Sequence, residues 1–163
     1  ADGTIPELPY WLDQQPAEQL HTFNPYRRVE AETSNWAYGL KSAKVGFDNT
    51  GVVEKMPFSE GKRNMYIYHI DKDEYIRLRG VDFGEGAKRF TISTAGTGSA
   101  KLSVRLDSPE GPVVGTVVIK PTGKAEKYRS FKTKVSGAQG VHDLYLCFDE
   151  AEGDVRLDWW KFE

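Results

Sequence analysis

Apolar residues recur at every second position in short runs along this chain: Ile76 and Leu78; Phe90 and Ile92; Leu102, Val104 and Leu106; Leu144, Leu146 and Phe148. Side chains alternate faces along a strand, so a step of two marks half-buried strands. Turn-forming stretches fall between the runs, at Gly84 to Gly86, Gly96 to Gly98, Ser108 to Pro112, Pro121 to Gly123 and Ser136 to Gly140. After residue 40 no apolar 3.6-residue repeat is sustained over three turns, so any helix should be short. About nine closely spaced strands without βαβ alternation predict an all-β fold, an antiparallel β-sandwich of jelly-roll type. The adjacent Trp159 and Trp160 point to opposite faces of the last strand, which commits at least one of them to the core.

Residues 1–27 read differently. Pro6, Pro9, Pro16 and Pro25 break any regular ladder, yet Leu8, Tyr10, Trp11, Leu20 and Phe23 are too apolar for a free linker. The expectation is a segment docked on the surface of a sandwich that spans 28–163. A start at Ala1, Asp2 and Gly3, without an initiator Met or a signal peptide, points to a processed or excised piece of something longer.

Charge narrows the partners. Twenty-two basic and 24 acidic residues leave a formal charge of −2, so no broad basic surface for nucleic acid and no polybasic membrane patch is expected. No segment approaches the roughly 18 apolar residues of a membrane span. The single cysteine, Cys147, lies in the apolar run Leu144 to Phe148 and reads as a small buried thiol.

Catalytic patterns are absent. The three histidines, His21, His69 and His142, are scattered, and there is neither a Gly-x-Ser-x-Gly elbow nor a pair of histidines at metal-ligand spacing. Asp71, Asp73 and Glu74 form an acidic cluster best read as solvated turn carboxylates. Two other features carry chemistry. Glu30 and Glu32 alternate onto one face of an extended segment, where two carboxylates repel unless a cation lies between them. Asp158 on the last strand could add a third oxygen donor, a hard set suited to a structural calcium that clamps the first strand to the last. Trp, Tyr and Phe make up 12% of the chain, and Trp36, Tyr38, Tyr66, Tyr68, Tyr75 and Tyr128 sit in polar surroundings. Solvent-facing aromatics on a sandwich suit the flat C–H patches of sugars.

The landmarks Val29 to Thr33, Gly80 to Gly84, Leu106 to Gly111, Val114 to Val117, Pro121 to Gly123, Gly140 to Leu146 and Leu157 to Phe162 occur in the order of a family 6 carbohydrate-binding module. From about residue 28 to 163 the chain resembles that family. It is most similar to modules C-terminal to family 43 glycoside hydrolases of the arabinoxylan arabinofuranohydrolase or xylanase type. Ile5 to Tyr10 and Asn24 to Tyr26 resemble the exit from such a catalytic domain. The resemblance implies a non-catalytic jelly roll with a structural calcium, a xylan- or arabinoxylan-type ligand, a hydrolase partner upstream in the same chain, and a secreted, periplasmic or cell-surface location. Family members bind sugars at a loop-rim cleft, on a concave sheet face, or at both. The rim cleft normally uses Tyr and Trp around a sugar with an Asn reaching its hydroxyls. The corresponding positions here are His69, Ala125 and Arg156, so the rim is expected to be altered. Tyr75 keeps an aromatic where some members place Trp on the sheet face, and Trp36 and Tyr38 are further candidates. The alternative is a structural accessory domain that packs on its hydrolase without binding glycan.

Overall fold

The structure, a computed structural model, describes residues 21–38, 66–125 and 127–163. Nine strands and no helix occur among them: β1 (Val29–Glu30), β2 (Trp36–Tyr38), β3 (Tyr75–Asp82), β4 (Arg89–Ala95), β5 (Ser99–Leu106), β6 (Val113–Ile119), β7 (Arg129–Lys134), β8 (Val141–Glu152) and β9 (Arg156–Phe162). They form a four-stranded sheet in the order β1-β9-β4-β7 and a five-stranded sheet in the order β2-β3-β8-β5-β6, with every neighbouring pair antiparallel. The expected antiparallel sandwich is what the chain forms.

The alternation read from the sequence is the inner face of each sheet. Ile76 and Leu78 on β3 lie opposite Leu146 and Leu144 on β8, and Leu102 and Val104 on β5 lie opposite Phe148 and Leu146. From the other sheet Phe90, Ile92, Trp160 and Phe162 face them, all fully buried. The rings of Phe90 and Phe162 are 4.9 Å apart, those of Phe83 and Phe162 5.1 Å, and those of Trp160 and Phe162 5.8 Å. Each such side chain contributes about 1.5–3 kcal/mol by leaving water. Trp160 is the core member of the tryptophan pair, and Trp159 stays half-exposed on the outer face.

The expected docked segment runs from 1 to 27, and its first 20 residues lie outside the described residues. Phe23, further along, forms a parallel bridge with Val81 and lays its ring 6.2 Å from Trp160. Its N–H donates to the Gly80 carbonyl at 2.8 Å, and its carbonyl accepts from Asp82 at 2.9 Å.

Two backbone irregularities bear on the candidate surfaces. The β3–β8 register shifts between Leu78 and Val81, at Gly80, whose φ of 59° a residue with a Cβ adopts only with strain. At the opposite end of the sandwich, the Gly96 to Gly98 turn lies against the chain at Gly153 and Asp154, and a Cβ on Gly96 would run into the Asp154 carbonyl. That contact fixes the approach to Arg156.

Candidate functional site: the outer face of the five-stranded sheet and its rim

Strand parity builds the sheet face. Because Leu144, Leu146 and Phe148 enter the core, Tyr145 and Cys147 point outward from β8, and Tyr75 and Arg77 do the same from β3. Trp36 pairs with Arg77 and Tyr38 with Tyr75, which brings the short β2 onto the same surface. Its position is pinned by Asn35, whose N–H donates to the Arg77 carbonyl and whose Oδ1 accepts from Arg79 N–H at 2.7 Å. Trp36 is 61% exposed and Tyr38 56%. The Tyr38 and Tyr75 rings stack at 5.2 Å, 14° from parallel, and Tyr75 tilts against Tyr145 at 5.5 Å.

Polar groups line the rest of this face. Arg77 donates to Asp143 Oδ2 through Nη2 at 2.7 Å and Nε at 3.2 Å, which holds its guanidinium 5.7 Å over the Tyr145 ring. Burial pushes the Asp143 carboxyl up, but hydrogen bonds from Arg77 and from Gly80 N–H outweigh it and hold the group below the usual carboxylate range. Further across, Ser103 donates to Asp149 Oδ1 at 3.0 Å, and Arg105 donates to Ser103 Oγ at 2.9 Å and to Asp149 at 3.2 Å. Cys147 lies between them, its thiol pushed up to about 11 by burial. The surface is a strip of aromatic rings flanked by two immobilised arginines, which suits a chain of neutral sugar rings.

The rim holds the other two sequence candidates. Arg156 donates from Nε to Asp154 at 3.1 Å and from Nη1 to the Tyr66 hydroxyl at 3.2 Å, with its guanidinium 5.2 Å over the Tyr66 ring. Tyr66 packs edge-on to Tyr68 at 5.9 Å, and Tyr68 lies 4.5 Å from the His69 ring. His69 and Arg156 therefore belong to one chain of contacts. His69 is exposed, with a φ of 53°. Tyr128 completes the end with a buried hydroxyl that has no hydrogen-bond partner; burial, with the charge of Asp158, pushes its pKa well upward. Arg156 is thus engaged on both sides, by Asp154 and by Tyr66.

Two readings of the sequence need correction. Tyr68 is buried, because it is wedged between Tyr66 and His69, so it is no solvent-facing platform. Glu74 is buried as well: its carboxylate accepts from Asp71 N–H at 2.8 Å and closes the turn into β3, so the acidic cluster is not wholly solvated. Sequence reasoning passed over Tyr145, Arg77, Arg105, Ser103 and Asp149 on the sheet face, and Asp154 at the rim. The signal for Tyr145 was present, since the run Leu144 to Phe148 is apolar on both parities and a strand has only one core face.

The carboxylates at the sheet junction are partly gathered. β1 ends at Glu30, and Glu32 follows in a turn, although burial still alternates from Val29 to Glu32. Arg28 donates to Glu30 Oε1 at 2.8 Å and reaches to 3.5 Å from Asp158 Oδ1. Glu32 Oε2 is buried with no hydrogen-bond partner, and burial, followed by the charges of Glu30 and Asp158, raises the Glu32 pKa. Among the described residues no group of three or more His, Cys, Asp or Glu forms a ready metal centre. A buried carboxylate oxygen without a partner, with two more carboxylates acting on it, is nevertheless the donor chemistry a calcium ion takes together with backbone carbonyls.

Comparison with known proteins finds relatives over nearly the whole chain. The arabinoxylan arabinofuranohydrolase of Bacillus subtilis (strain 168) is 34% identical over 99% of this chain, which spans 30% of that protein. The crystal structure of a glycoside hydrolase family 43 arabinoxylan arabinofuranohydrolase from Bacillus subtilis, in complex with cellotetraose, superposes with a TM-score of 0.71 at 33% identity, covering 88% of this chain and 28% of the other. A family 6 carbohydrate-binding module from Clostridium cellulolyticum, in complex with xylose, superposes with a TM-score of 0.70 at 29% identity, covering 86% and 99% of the two chains. The description "Carbohydrate binding module (family 6)" matches residues 22–163, and the chain belongs to that family of non-catalytic modules.

Proposed function

We propose that this module binds xylan- or arabinoxylan-type chains on the outer face of the five-stranded sheet, while the rim carries altered chemistry. The observation that supports this most directly is the exposed aromatic strip of Trp36, Tyr38 and Tyr75. At the rim, by contrast, Ala125 offers no ring and Arg156 is committed to Asp154 and Tyr66. The parent protein, on this reading, is an exported plant-polysaccharide hydrolase, and residues 1–27 are the passage from its catalytic domain. A calcium ion bound through Glu30, Glu32 and Asp158 would add stability by fixing β1 and the following turn to β9.

Calorimetric titration with xylo- and arabinoxylo-oligosaccharides tests the sheet face. Binding that is lost in Tyr75→Ala and kept in Arg156→Ala supports it. Binding lost only in the rim variant would move the site to the rim, and no binding by the wild type would favour a domain that merely buttresses its hydrolase.

A further inference from the structure

The outer face of the other sheet is also organised. Phe90 and Ile92 point into the core, so Arg89, Thr91 and Ser93 face outward from β4. The register sets Lys161 of β9 and Lys132 of β7 on either side of Thr91, places Lys134 directly opposite Arg89, and sets Trp159 and Ser130 on either side of Ser93. Four cations thus share one face. Glu163 is the acidic residue paired with them, accepting from Arg89 at 2.8 Å and lying 2.6 Å from Lys161 Nζ. Lys132 and Lys134 are exposed and have no ion pair among the described residues. Like charges directly opposite across a ladder destabilise it, so the pairing of Arg89 with Lys134 works against the fold.

Lysines on an edge strand can serve only to discourage pairing with another sheet. That accounts for β7 alone. Arg89 and Lys161 lie on β4 and β9, which have neighbours on both sides. A second feature lies beneath the cations: Thr91 is 1% exposed, yet its Oγ1 has no hydrogen-bond partner. Trp159 supplies an aromatic ring on the same face, with the Arg28 guanidinium 5.4 Å above it.

We propose that this face is a second glycan surface, and that it takes a carboxylate-bearing polysaccharide, a chain carrying uronic acid groups. Lys132 and Lys134, with Arg89 and Lys161 beside them, receive the carboxylates; the exposed Ser130 offers a hydroxyl and the half-buried Trp159 the edge of a ring. Among the described residues Arg28 on this face is paired with Glu30, and Glu163 against the other four cations leaves three positive charges, fewer than the roughly 6–10 phosphate contacts of a strong nucleic-acid site. Neutral chains find no use for these cations, and on the Tyr75 face both arginines are already paired, Arg77 with Asp143 and Arg105 with Asp149. The two surfaces are therefore separable by ligand.

The test is affinity electrophoresis and calorimetry on glucuronic-acid-substituted xylan, the same polymer after carboxyl reduction, polygalacturonate and a single-stranded DNA oligonucleotide. The proteins are the wild type, Lys132→Glu/Lys134→Glu, Lys132→Gln/Lys134→Gln and Tyr75→Ala, each checked by thermal melting. The wild type should bind the substituted xylan at least tenfold more tightly than the reduced polymer, with the difference shrinking as salt rises. Both lysine variants should lose that difference and keep their affinity for the reduced polymer, and Tyr75→Ala should keep the difference. Binding of polygalacturonate would show that uronate on any backbone suffices; its failure would restrict the surface to uronate borne on xylan. Equal affinity for substituted and reduced xylan, an unchanged difference in the lysine variants, or DNA bound as tightly as the uronate polymer would overturn the proposal.

Discussion

Tyr38 and Tyr75 lie directly opposite each other across the β2–β3 ladder, with their rings stacked 5.2 Å apart and 14° from parallel. Such a pair contributes about 0.5–1.5 kcal/mol beyond its buried area. It also sets the ring orientation before any ligand arrives, so little side-chain entropy remains to be lost on binding. Stacking on an aromatic is worth about 1–3 kcal/mol by analogy with nucleic-acid bases. Tyr75→Ala should therefore lower affinity for xylo-oligosaccharides by roughly one to two decades. Tyr38→Ala should lower it less, because Tyr75 retains Tyr145 behind it. Calorimetry on the two variants checks the order as well as the size.

The rim can be rebuilt toward the family pattern. Ala125→Trp with Arg156→Asn would supply a ring and an amide at the positions where the family resemblance expects them, and would release Tyr66 from the guanidinium above it. The double variant should gain roughly a decade or more of affinity for short oligosaccharides from one new stacking contact. That gain should persist when Tyr75 is also changed to Ala. No gain in the double variant would mean that the rim lacks more than these two groups.

Most of the fold was legible because the sandwich obeys one rule, alternation, at nearly every core position. Phe90, Ile92, Leu102, Val104, Leu144 and Leu146 are all fully buried where a step of two placed them. The candidate surface was less legible. Trp36, Tyr38 and Tyr75 could be named as aromatics in polar surroundings, but their convergence depends on a three-residue strand held by Asn35, which no periodicity announces. Tyr145 was hidden in an apolar run, and the commitment of Arg156 to Tyr66 joins residues 90 positions apart. Such contacts follow from strand order, which local sequence does not encode.

Arg77 is held over Tyr145 by Asp143, so the carboxylate fixes a side chain of the proposed binding face. Hydrogen bonds to charged groups contribute about 1.5–3 kcal/mol. Asp143→Asn should destabilise the module by about 1–2 kcal/mol, the lower part of that range because the pair is partly solvated. Because the folded-state pKa of Asp143 is depressed, its contribution is present above the unfolded-state value and lost as pH falls through the folded one. Urea denaturation of wild type and variant should converge as pH drops through that acid window.

Glu32 has the opposite sign. Its pKa is raised by burial and by Glu30 and Asp158, so the folded state holds the proton more tightly than the unfolded chain. In chelator, its contribution should fall as pH rises from the ordinary glutamate value through the raised one. Calcium competes with that proton and adds stability by mass action, so in calcium the melting temperature should instead rise over the same window. Glu32→Gln should flatten the pH dependence and weaken the response to calcium. A melting temperature that ignores both chelator and calcium would count against an ion at Glu30, Glu32 and Asp158.

Cys147 offers an internal reporter for the sheet face. It lies opposite Tyr75 on one side and Ser103 on the other, and is 8% exposed. With its thiol pushed up to about 11, only on the order of one molecule in a thousand carries the thiolate at pH 8. Iodoacetamide should therefore modify it slowly at that pH and progressively faster as pH rises toward 11. A xylo-oligosaccharide lying across Tyr75 would cover the Cys147 row and slow the labelling further, whereas a ligand held only at the rim by Tyr66 and Arg156 would leave the rate unchanged. Mass spectrometry of the labelled peptide, with and without oligosaccharide, distinguishes the two surfaces without any substitution.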